Sequence, residues 1–285
     1  MKDNIRNLKY LVIGSYGQLG KEFVKSLDNS SCNYLAVDID KLDISDYSAV
    51  NQIFESYRPD VTINCSAYNN VDLAESHSED AMKVNALGPK YLAVCCKKYN
   101  CFLIHYSSDY VFDGTKKDGL YTETDHVNPI NEYGKSKLLG EKLLSKETDD
   151  YLIFRLSWVY GNGNQNFIQK MKSWSEKISI LNISIDEISV PTSTKTIVEI
   201  SEKALESGLT GTYHLTNSGY ASRYEWAKAI AKYLKMNLIL HPVSKDLFNL
   251  PAKRPSFSAM SNRKISDILD TSIISWEDAL KDFLE

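Results

Sequence analysis

The stretch Tyr10-Leu11-Val12-Ile13-Gly14-Ser15-Tyr16-Gly17-Gln18-Leu19-Gly20 decides the fold of this chain. It begins with an apolar run typical of a buried strand and continues into glycines spaced as GxxGxxG. The first glycine permits a tight turn, the second lets the backbone approach a pyrophosphate, and the third lets the following helix pack closely. An ordinary strand-to-helix turn is the alternative. The position near the start of the chain favours a dinucleotide-binding unit, with the phosphates at the helix N-terminus.

Outward from this unit, short apolar runs alternate with longer amphipathic segments. The expected strands are 10–13, 34–37, 61–65, 102–106 and 151–154, and the expected helices are 19–27, 49–57, 79–99 and 133–144. Gly88-Pro89 should bend the third helix or introduce an irregular turn. Near-continuous apolar strands alternating with helices are typical of a parallel sheet covered on both faces. The predicted fold is therefore α/β, a Rossmann-type doubly wound parallel sheet with a smaller C-terminal substrate-binding domain.

The second half of the chain is less regular, with prolines at 191, 242, 251 and 255. One clear helix is predicted there, at 224–234, and Ser222 with Glu225 fits a capping box at its start. We expect residues 1–155, with a return segment at about 191–235, to form the dinucleotide-binding domain. Residues 156–190 and 236–285 are expected to form the substrate-binding region.

The composition excludes several classes of protein. The chain has 285 residues, of which 43% are hydrophobic and 25% charged, which is ordinary for a globular protein. Its net charge of -4 gives no electrostatic reason to expect nucleic acid as a partner. No apolar run is long enough to span a bilayer, and the polar start Met1-Lys2-Asp3-Asn4 does not resemble a signal peptide. We expect a cytoplasmic protein with no membrane or nucleic-acid partner.

The cysteines and histidines give no metal signature. The five cysteines include an adjacent pair but no CxxC spacing, so reduced thiols are favoured over disulfides or a zinc site. The five histidines are scattered and form no HExxH pattern, which favours packing or surface roles. The spacing therefore predicts no metal ligands.

Asp38 stands at the end of the second predicted strand, where a carboxylate meets the adenosine ribose in a dinucleotide fold. A negative charge there repels a 2′-phosphate, and Lys41 is the only cation close by in sequence. Asp38 therefore favours NADH and leaves NADPH open. A solvated turn acid beside Asp40 is the alternative interpretation.

Tyr133 and Lys137 form a YxxxK pair, whose spacing places both side chains on one face of a helix. A nearby ammonium should lower the pKa of the phenol from its usual value near 10. The tyrosine can then donate a proton to a carbonyl oxygen while a hydride arrives at the carbon. Alone, the pair is more typical of a helix surface. Together with the glycine turn it indicates a nicotinamide-dependent reductase, with Ser107 or Ser108 as the hydroxyl that polarises the carbonyl.

Longer segments carry a more specific pattern. They are Asn64-Cys65-Ser66-Ala67-Tyr68, Val71-Asp72-Leu73-Ala74-Glu75, Asn85-Ala86-Leu87-Gly88-Pro89, Ser107-Ser108-Asp109-Tyr110-Val111-Phe112-Asp113-Gly114, Asn128-Pro129 through Tyr133-Gly134-Lys135-Ser136-Lys137-Leu138 to Gly140-Glu141, Arg155-Leu156-Ser157-Trp158-Val159-Tyr160-Gly161 and Arg254-Pro255-Ser256. They resemble the segments NCAAYTxVDxAE, VNALGP, STDYVFDG, NPLNxYGxSKLxGE, RTSWVYG and RPxxS of the dTDP-4-dehydrorhamnose reductase family, extended short-chain dehydrogenases. The resemblance runs over nearly the whole chain.

The resemblance implies reduction of the 4-keto group of a dTDP-6-deoxy-4-ketohexose to give dTDP-L-rhamnose, with NADPH or NADH as cofactor. It implies that Ser108, Tyr133 and Lys137 are catalytic. The implied cofactor-binding residues are Gly14, Gly17, Gln18, Leu19, Gly20, Asp38, Asp43, Ile44, Ser66, Ala67, Tyr68 and Asn85, together with Tyr133 and Lys137. The implied substrate-binding residues are Asn69, Asp109, Trp158 and Arg254. A homodimer and a magnesium ion are implied for some members, but no spacing here identifies magnesium ligands.

The chain departs from the family pattern at three positions. Where the family has DQxGxPT, residues 186–192 carry Glu187 for the glutamine and Ser189 for the glycine. The serine is expected to matter if that backbone has a positive φ. Arg223 stands where a tryptophan is common. These departures spare the chemistry and leave the exact sugar open, so a sister 4-ketoreductase acting on another nucleotide sugar is an alternative. An epimerase that retains its NAD shares the superfamily residues, and a non-catalytic dinucleotide-binding regulatory subunit resembles the same family, so both are further alternatives.

Overall fold

The computed structural model describes residues 7–285, so the expectation for Met1-Lys2-Asp3-Asn4 lies outside the described residues. The strands are β1 Lys9–Ile13, β2 Asn33–Val37, β3 Val61–Asn64, β4 Phe102–Ser108, β5 Tyr151–Leu156, β6 Val159–Tyr160, β7 Ile180–Ser184, β8 Ile188–Ser189, β9 Thr192–Ser193, β10 Gly211–His214, β11 Ala221–Ser222 and β12 Ile239–Val243. Six of them form one sheet in the order β10-β5-β4-β3-β1-β2, and every neighbouring pair in it is parallel.

The sheet is buried on both faces because successive residues of a strand point in opposite directions. In β1, Tyr10 and Val12 join one apolar core, while Leu11 and Ile13 join the core on the other face. Helices cover both layers, which confirms the prediction of a Rossmann-type parallel sheet. The short β-rich elements of the second half build a further core around Tyr160 and Trp226.

The helices are α1 Gln18–Asn29, α2 Tyr47–Tyr57, α3 Leu73–Ser76, α4 Ser78–Met82, α5 Gly88–Tyr99, α6 Glu132–Glu147, α7 Phe167–Ser175, α8 Thr194–Glu206, α9 Arg223–Tyr233, α10 Arg263–Ile268 and α11 Trp276–Leu284. The helix predicted at 79–99 is interrupted by a π-helical turn at Lys83–Leu87, directly before Gly88-Pro89. The expected irregularity is therefore present. Among residues 7–285, no helix is long and apolar enough to cross a membrane.

The prediction of one clear helix in the second half is wrong, because α7, α8, α10 and α11 also form there. Three of these helices begin at a side-chain cap: Asn166, Ser193 and Ser275 each accept a backbone N–H. The capping box predicted at the start of α9, the helix that the sequence did indicate, is present.

Segments that are distant in sequence complete the sheets. Strand β10, from the predicted return segment, pairs with β5 at the edge of the main sheet. Strand β7 pairs with β12, which joins the two parts of the predicted substrate-binding region. The limits of the two domains stay a prediction.

The glycine turn fixes how closely β1, α1 and the loop after β3 approach one another. Gly14 has φ +77°, and a Cβ there would lie 2.7 Å from the backbone nitrogen of Ser66. A Cβ at Gly20 would collide with the carbonyl oxygen of Gly14. The first glycine therefore meets both a conformational and a contact requirement, and the third allows α1 to pack on the turn.

Replacing Gly14 by alanine should destabilise the protein by about 2–4 kcal/mol, since the left-handed backbone and the contact with Ser66 both oppose a side chain. Gly208→Ala is the matched control, because Gly208 has φ +67° with nothing within 4 Å of the added atom. It should cost only about 1–2 kcal/mol. Chemical denaturation of both variants measures the difference, and equal losses would contradict the role of the contact.

Candidate active site

A cleft of about 550 Å³ opens at the carboxyl edge of the sheet. It lies where β1 has β2 on one side and β3 on the other, the point at which α/β sheets bind their ligands. Most of the predicted cofactor-binding residues line it, namely Gly14, Gly17, Gln18, Asp38, Asp43, Ile44, Ser66, Ala67 and Tyr68, together with the predicted substrate residue Asn69. The glycines at 14 and 17 and the N-terminus of α1, which has no side-chain cap, fit a dinucleotide pyrophosphate.

Three predicted cofactor residues lie behind this cleft rather than on its wall. Leu19 belongs to the apolar core, and Gly20 lies against the Gly14 backbone. Asn85 is buried, accepts the Tyr68 N–H through Oδ1 at 2.8 Å, and donates to the Tyr68 carbonyl at 3.1 Å and to Ser136 at 3.0 Å. Asn85 therefore holds the cleft-lining segment in place and connects it to α6.

Asp38 has a structural task as well as a place on the cleft wall. Its Oδ2 accepts the backbone N–H of Tyr16 at 2.7 Å, and its Oδ1 accepts the N–H of Ile39 at 2.8 Å. The cation that lines this cleft is Lys21, not Lys41. Lys21 was missed in the sequence, although it directly follows the third glycine of the turn.

The catalytic candidates meet where β4 ends and α6 begins. Ser108 is the last residue of β4 and caps the following 3₁₀ turn by accepting the Tyr110 N–H at 3.1 Å. Its hydroxyl also lies near enough to the Tyr133 phenol to act on the pKa of that group. Ser107 makes no such contact, and its buried Oγ has no partner among the described residues. Of the two serines that the spacing left open, the geometry brings Ser108 to Tyr133.

The charges at this junction differ from the expectation. Burial raises the pKa of Tyr133 to about 12, although the nearby Ser108 hydroxyl opposes the shift. Burial also lowers the pKa of Lys137 to about 8; the side chain is only 2% exposed, and its Nζ donates to the Tyr106 carbonyl at 2.6 Å. The expected lowering of the Tyr133 pKa by the ammonium is therefore wrong for this structure. Tyr133 is protonated at neutral pH, the form in which a phenol donates a proton.

Asp109 is enclosed rather than presented to a cleft. It is 3% exposed, and it accepts hydrogen bonds from Ser108 at 3.2 Å, Ser189 at 2.9 Å and Ser258 at 2.6 Å. Burial raises its pKa to about 6 although the hydroxyl donors oppose the shift. This placement does not present the carboxylate to a sugar. Asp109 instead connects the end of β4 to β8 and to the C-terminal segment.

The backbone strain expected if Ser189 had a positive φ is absent. Ser189 lies in strand β8, outside the residues with positive φ, so the serine imposes no left-handed strain. Ser258 was missed, but it had a signal, because it occupies the final position of the RPxxS pattern that starts at Arg254. Both hydroxyls serve to satisfy a buried carboxylate, which is costly to leave unpaired.

A second cleft, of about 450 Å³, shares Asn69 and Gln165 with the first. Trp158 and Arg254, two predicted substrate residues, line it together with Arg223. Trp158 has φ +40°, a strained conformation for a bulky residue. The guanidinium of Arg254 is already engaged, since its terminal nitrogens donate to both oxygens of Asp72 at 2.6 and 2.7 Å.

The described part of the chain contains no evident metal-binding site. Among residues 7–285, no group of three or more His, Cys, Asp and Glu side chains is arranged to hold a metal ion. His105 and His214 are buried, and burial lowers the pKa of both, so they are neutral. Magnesium and a homodimer stay predictions from the resemblance.

Asp109→Asn should raise stability at pH 7. The carboxyl pKa rises from 3.8 to about 6 on folding, so ionised Asp109 costs roughly 3 kcal/mol, at about 1.4 kcal/mol per unit. The native state binds more protons between these values, so unfolding free energy falls as pH rises through that window. The gain of the amide variant should therefore shrink as pH falls from 6 to 4.

Denaturant unfolding of wild type and variant at several pH values measures that difference. Asp267→Asn is the control, because Asp267 is exposed, and it should show no such gain. A stability gain of Asp109→Asn that is the same at pH 4 and pH 7 would contradict the prediction.

Known proteins are similar to this chain over nearly its whole length. A family model described as the RmlD substrate binding domain matches residues 8–285. Spore coat polysaccharide biosynthesis protein SpsK of Bacillus subtilis is 35% identical over 277 residues, covering 97% of each chain. A dTDP-4-dehydrorhamnose reductase of Aggregatibacter actinomycetemcomitans is 35% identical over 286 residues, covering 96% of this chain and 97% of that protein.

A solved structure is similar throughout. The dTDP-4-dehydrorhamnose reductase from Bacillus anthracis, in complex with NADP, superimposes with a TM-score of 0.93 at 33% identity. The match covers 97% of this chain and 98% of that one.

Proposed function

The chain belongs to the dTDP-4-dehydrorhamnose reductase family, and on that basis we propose that it reduces the 4-keto group of a dTDP-6-deoxy-4-ketohexose with NADPH or NADH. The substrate we propose is dTDP-4-dehydrorhamnose, and the product dTDP-L-rhamnose. The observation that carries the proposal is the placement of the Ser108 hydroxyl near a protonated Tyr133, with Lys137 one helical turn further on. A cleft that fits a dinucleotide opens at the carboxyl edge of the same sheet, and Asn85 connects its wall at Tyr68 to Ser136, the neighbour of Lys137.

The nicotinamide, when bound, supplies the hydride that reaches the carbonyl carbon. Tyr133 is the general acid, and its phenol proton passes to the oxygen that becomes the alcohol. The Ser108 hydroxyl polarises the same oxygen. The raised pKa of Tyr133 suits this direction of reaction, because the phenol starts with its proton in place.

Lys137 supports the reaction from its buried position. One of its ammonium protons is used on the Tyr106 carbonyl, and an ammonium has three. The remaining donors are those we assign to the nicotinamide ribose hydroxyls. Gly14, Gly17 and the first turn of α1 would hold the pyrophosphate.

Two charged side chains on the cleft wall decide the cofactor preference. Asp38 opposes a 2′-phosphate and favours NADH, whereas Lys21 attracts one. The relative from Bacillus anthracis was solved with NADP, which supports a nicotinamide dinucleotide without setting the preference. A cytoplasmic location and a homodimer complete the proposal as predictions.

Tyr133→Phe should lower kcat by about 10²–10⁴-fold, because the ring remains and the proton donor is lost. Oxidation of NADPH or NADH with dTDP-4-dehydrorhamnose measures turnover, and dinucleotide affinity should stay within about twofold. Tyr213→Phe is the matched control, since the Tyr213 hydroxyl donates to the Thr210 carbonyl at 3.1 Å and lines neither cleft. A wild-type protein that binds dinucleotide but oxidises none with this sugar or its stereoisomers would overturn the reductase proposal.

Asp38→Asn should increase the ratio of kcat/KM for NADPH to that for NADH by about tenfold, since it removes one charge near the 2′-phosphate. The amide keeps an acceptor for the Tyr16 N–H, so the turn should remain folded. Asp40→Asn is the neighbouring control. An unchanged ratio in Asp38→Asn would show that Asp38 does not contact the adenosine ribose.

A further inference from the structure

Arg223 occupies an unusual position in the second cleft. It is the first residue of α9, and its guanidinium carbon lies 3.7 Å from the centre of the Trp158 ring. The rings of Phe167 and Trp226 lie 4.9 and 5.5 Å away. Stacking on aromatic faces holds a guanidinium flat and leaves the N–H groups at its edge free to donate. The three rings therefore orient the group without using its donors.

The donors of Arg223 have no acceptor among the described residues. Its backbone N–H donates to the Glu187 carbonyl at 3.0 Å, but its guanidinium makes no hydrogen bond and no ion pair within residues 7–285. The contrast with two other arginines is sharp: Arg155 is paired with Glu141, and Arg254 with Asp72. Of these three arginines, Arg223 is the one whose charge is available to a ligand.

The surrounding charges leave this part of the cleft open to an anion. Glu187 lines the same cleft and acts on the charge of Arg223, as does buried Asp109, but neither forms an ion pair with it. The Glu187 carboxylate accepts the Ser184 hydroxyl at 2.6 Å. Lys170 adds a further cation to the wall, beside Arg223 and the paired Arg254. A partly desolvated guanidinium without a partner costs free energy, which an oxyanion would offset.

We propose that Arg223 is a specificity-determining residue whose guanidinium binds an oxyanion of the nucleotide-sugar substrate. The oxyanion is a phosphate oxygen of the diphosphate or a carboxylate carried by the sugar. This inference rests on the proposed function, since it names how the same cleft recognises its substrate. A tryptophan, common in the family at this position, offers a single N–H and no charge. Arg223 thus gives this chain a contact that the common residue does not make.

Calorimetric titration of the purified full-length protein tests the proposal. The probes are dTDP, thymidine, a dTDP-hexose whose sugar is uncharged and a dTDP-hexuronic acid. Arg223→Met should weaken dTDP binding by about ten- to a hundredfold and leave thymidine binding unchanged, because thymidine has no oxyanion. A loss confined to dTDP-hexuronic acid identifies the carboxylate as the bound group. Equal affinities of wild type and variant for all three probes that carry a diphosphate would overturn the inference.

Further variants separate recognition from a structural role. Arg223→Lys keeps the charge and should restore part of the affinity, whereas Arg223→Trp keeps an aromatic stack and should not. Glu187→Gln removes the opposing charge and should tighten dTDP binding by about two- to fivefold. Arg263→Met is the control, because Arg263 is exposed and paired with Asp267. Thermal unfolding verifies that each variant is folded.

The inference and the proposed function fail in distinguishable ways. If wild-type protein binds none of the nucleotides and reduces no keto sugar, the proposed function is wrong. If wild type binds dTDP, and the Arg223→Met variant binds each probe that carries a diphosphate as tightly as wild type does, only the inference is wrong. In steady-state assays, the variant should show a raised KM for the sugar with kcat within about threefold, since Arg223 has no part in the proposed proton and hydride transfers.

Discussion

The arrangement of the candidate active site depends on one buried carboxylate. Asp109 is satisfied by hydroxyls from Ser108 at the end of β4, Ser189 in β8 and Ser258 in the C-terminal segment. An ionised carboxylate in the interior is unstable without such donors. The three segments must therefore meet at Asp109, and their meeting fixes where Ser108 stands relative to Tyr133. Arg254 with Asp72 makes a similar connection nearer the surface.

The sequence was sufficient for the features that depend on local pattern. The apolar strands, the glycine turn and the Ser222–Glu225 capping box follow from spacing, and the structure has all of them. The other helices of the second half were missed, although caps such as Ser193 mark the starts of three of them. Ser258 and Asp109 are 149 positions apart, and no local pattern indicates that they meet.

The chemistry of the site was predictable in its residues and less so in its energetics. A spacing of four residues places Tyr133 and Lys137 on one helical face, but it carries no information on burial. Burial controls both pKa values here, and it reverses the direction expected for the tyrosine. The sequence likewise identified Arg254 as a cation of the substrate cleft. It did not indicate that the Arg254 guanidinium is already paired with Asp72. The departure at 223, noted only as a missing tryptophan, proved to be the arginine with free donors.

The left-handed backbone of Trp158 has a consequence for how this protein can change. A conformation of this kind costs about 1–2 kcal/mol, and the ring contacts with Arg223 and Trp226 help to offset it. Substitutions at 158 and 223 should then be epistatic, each altering the effect of the other. Selection for a new substrate at position 223 would also act on the loop that carries Trp158. A change of substrate range at position 223 should therefore be accompanied by a change in the conformation of the Trp158 loop.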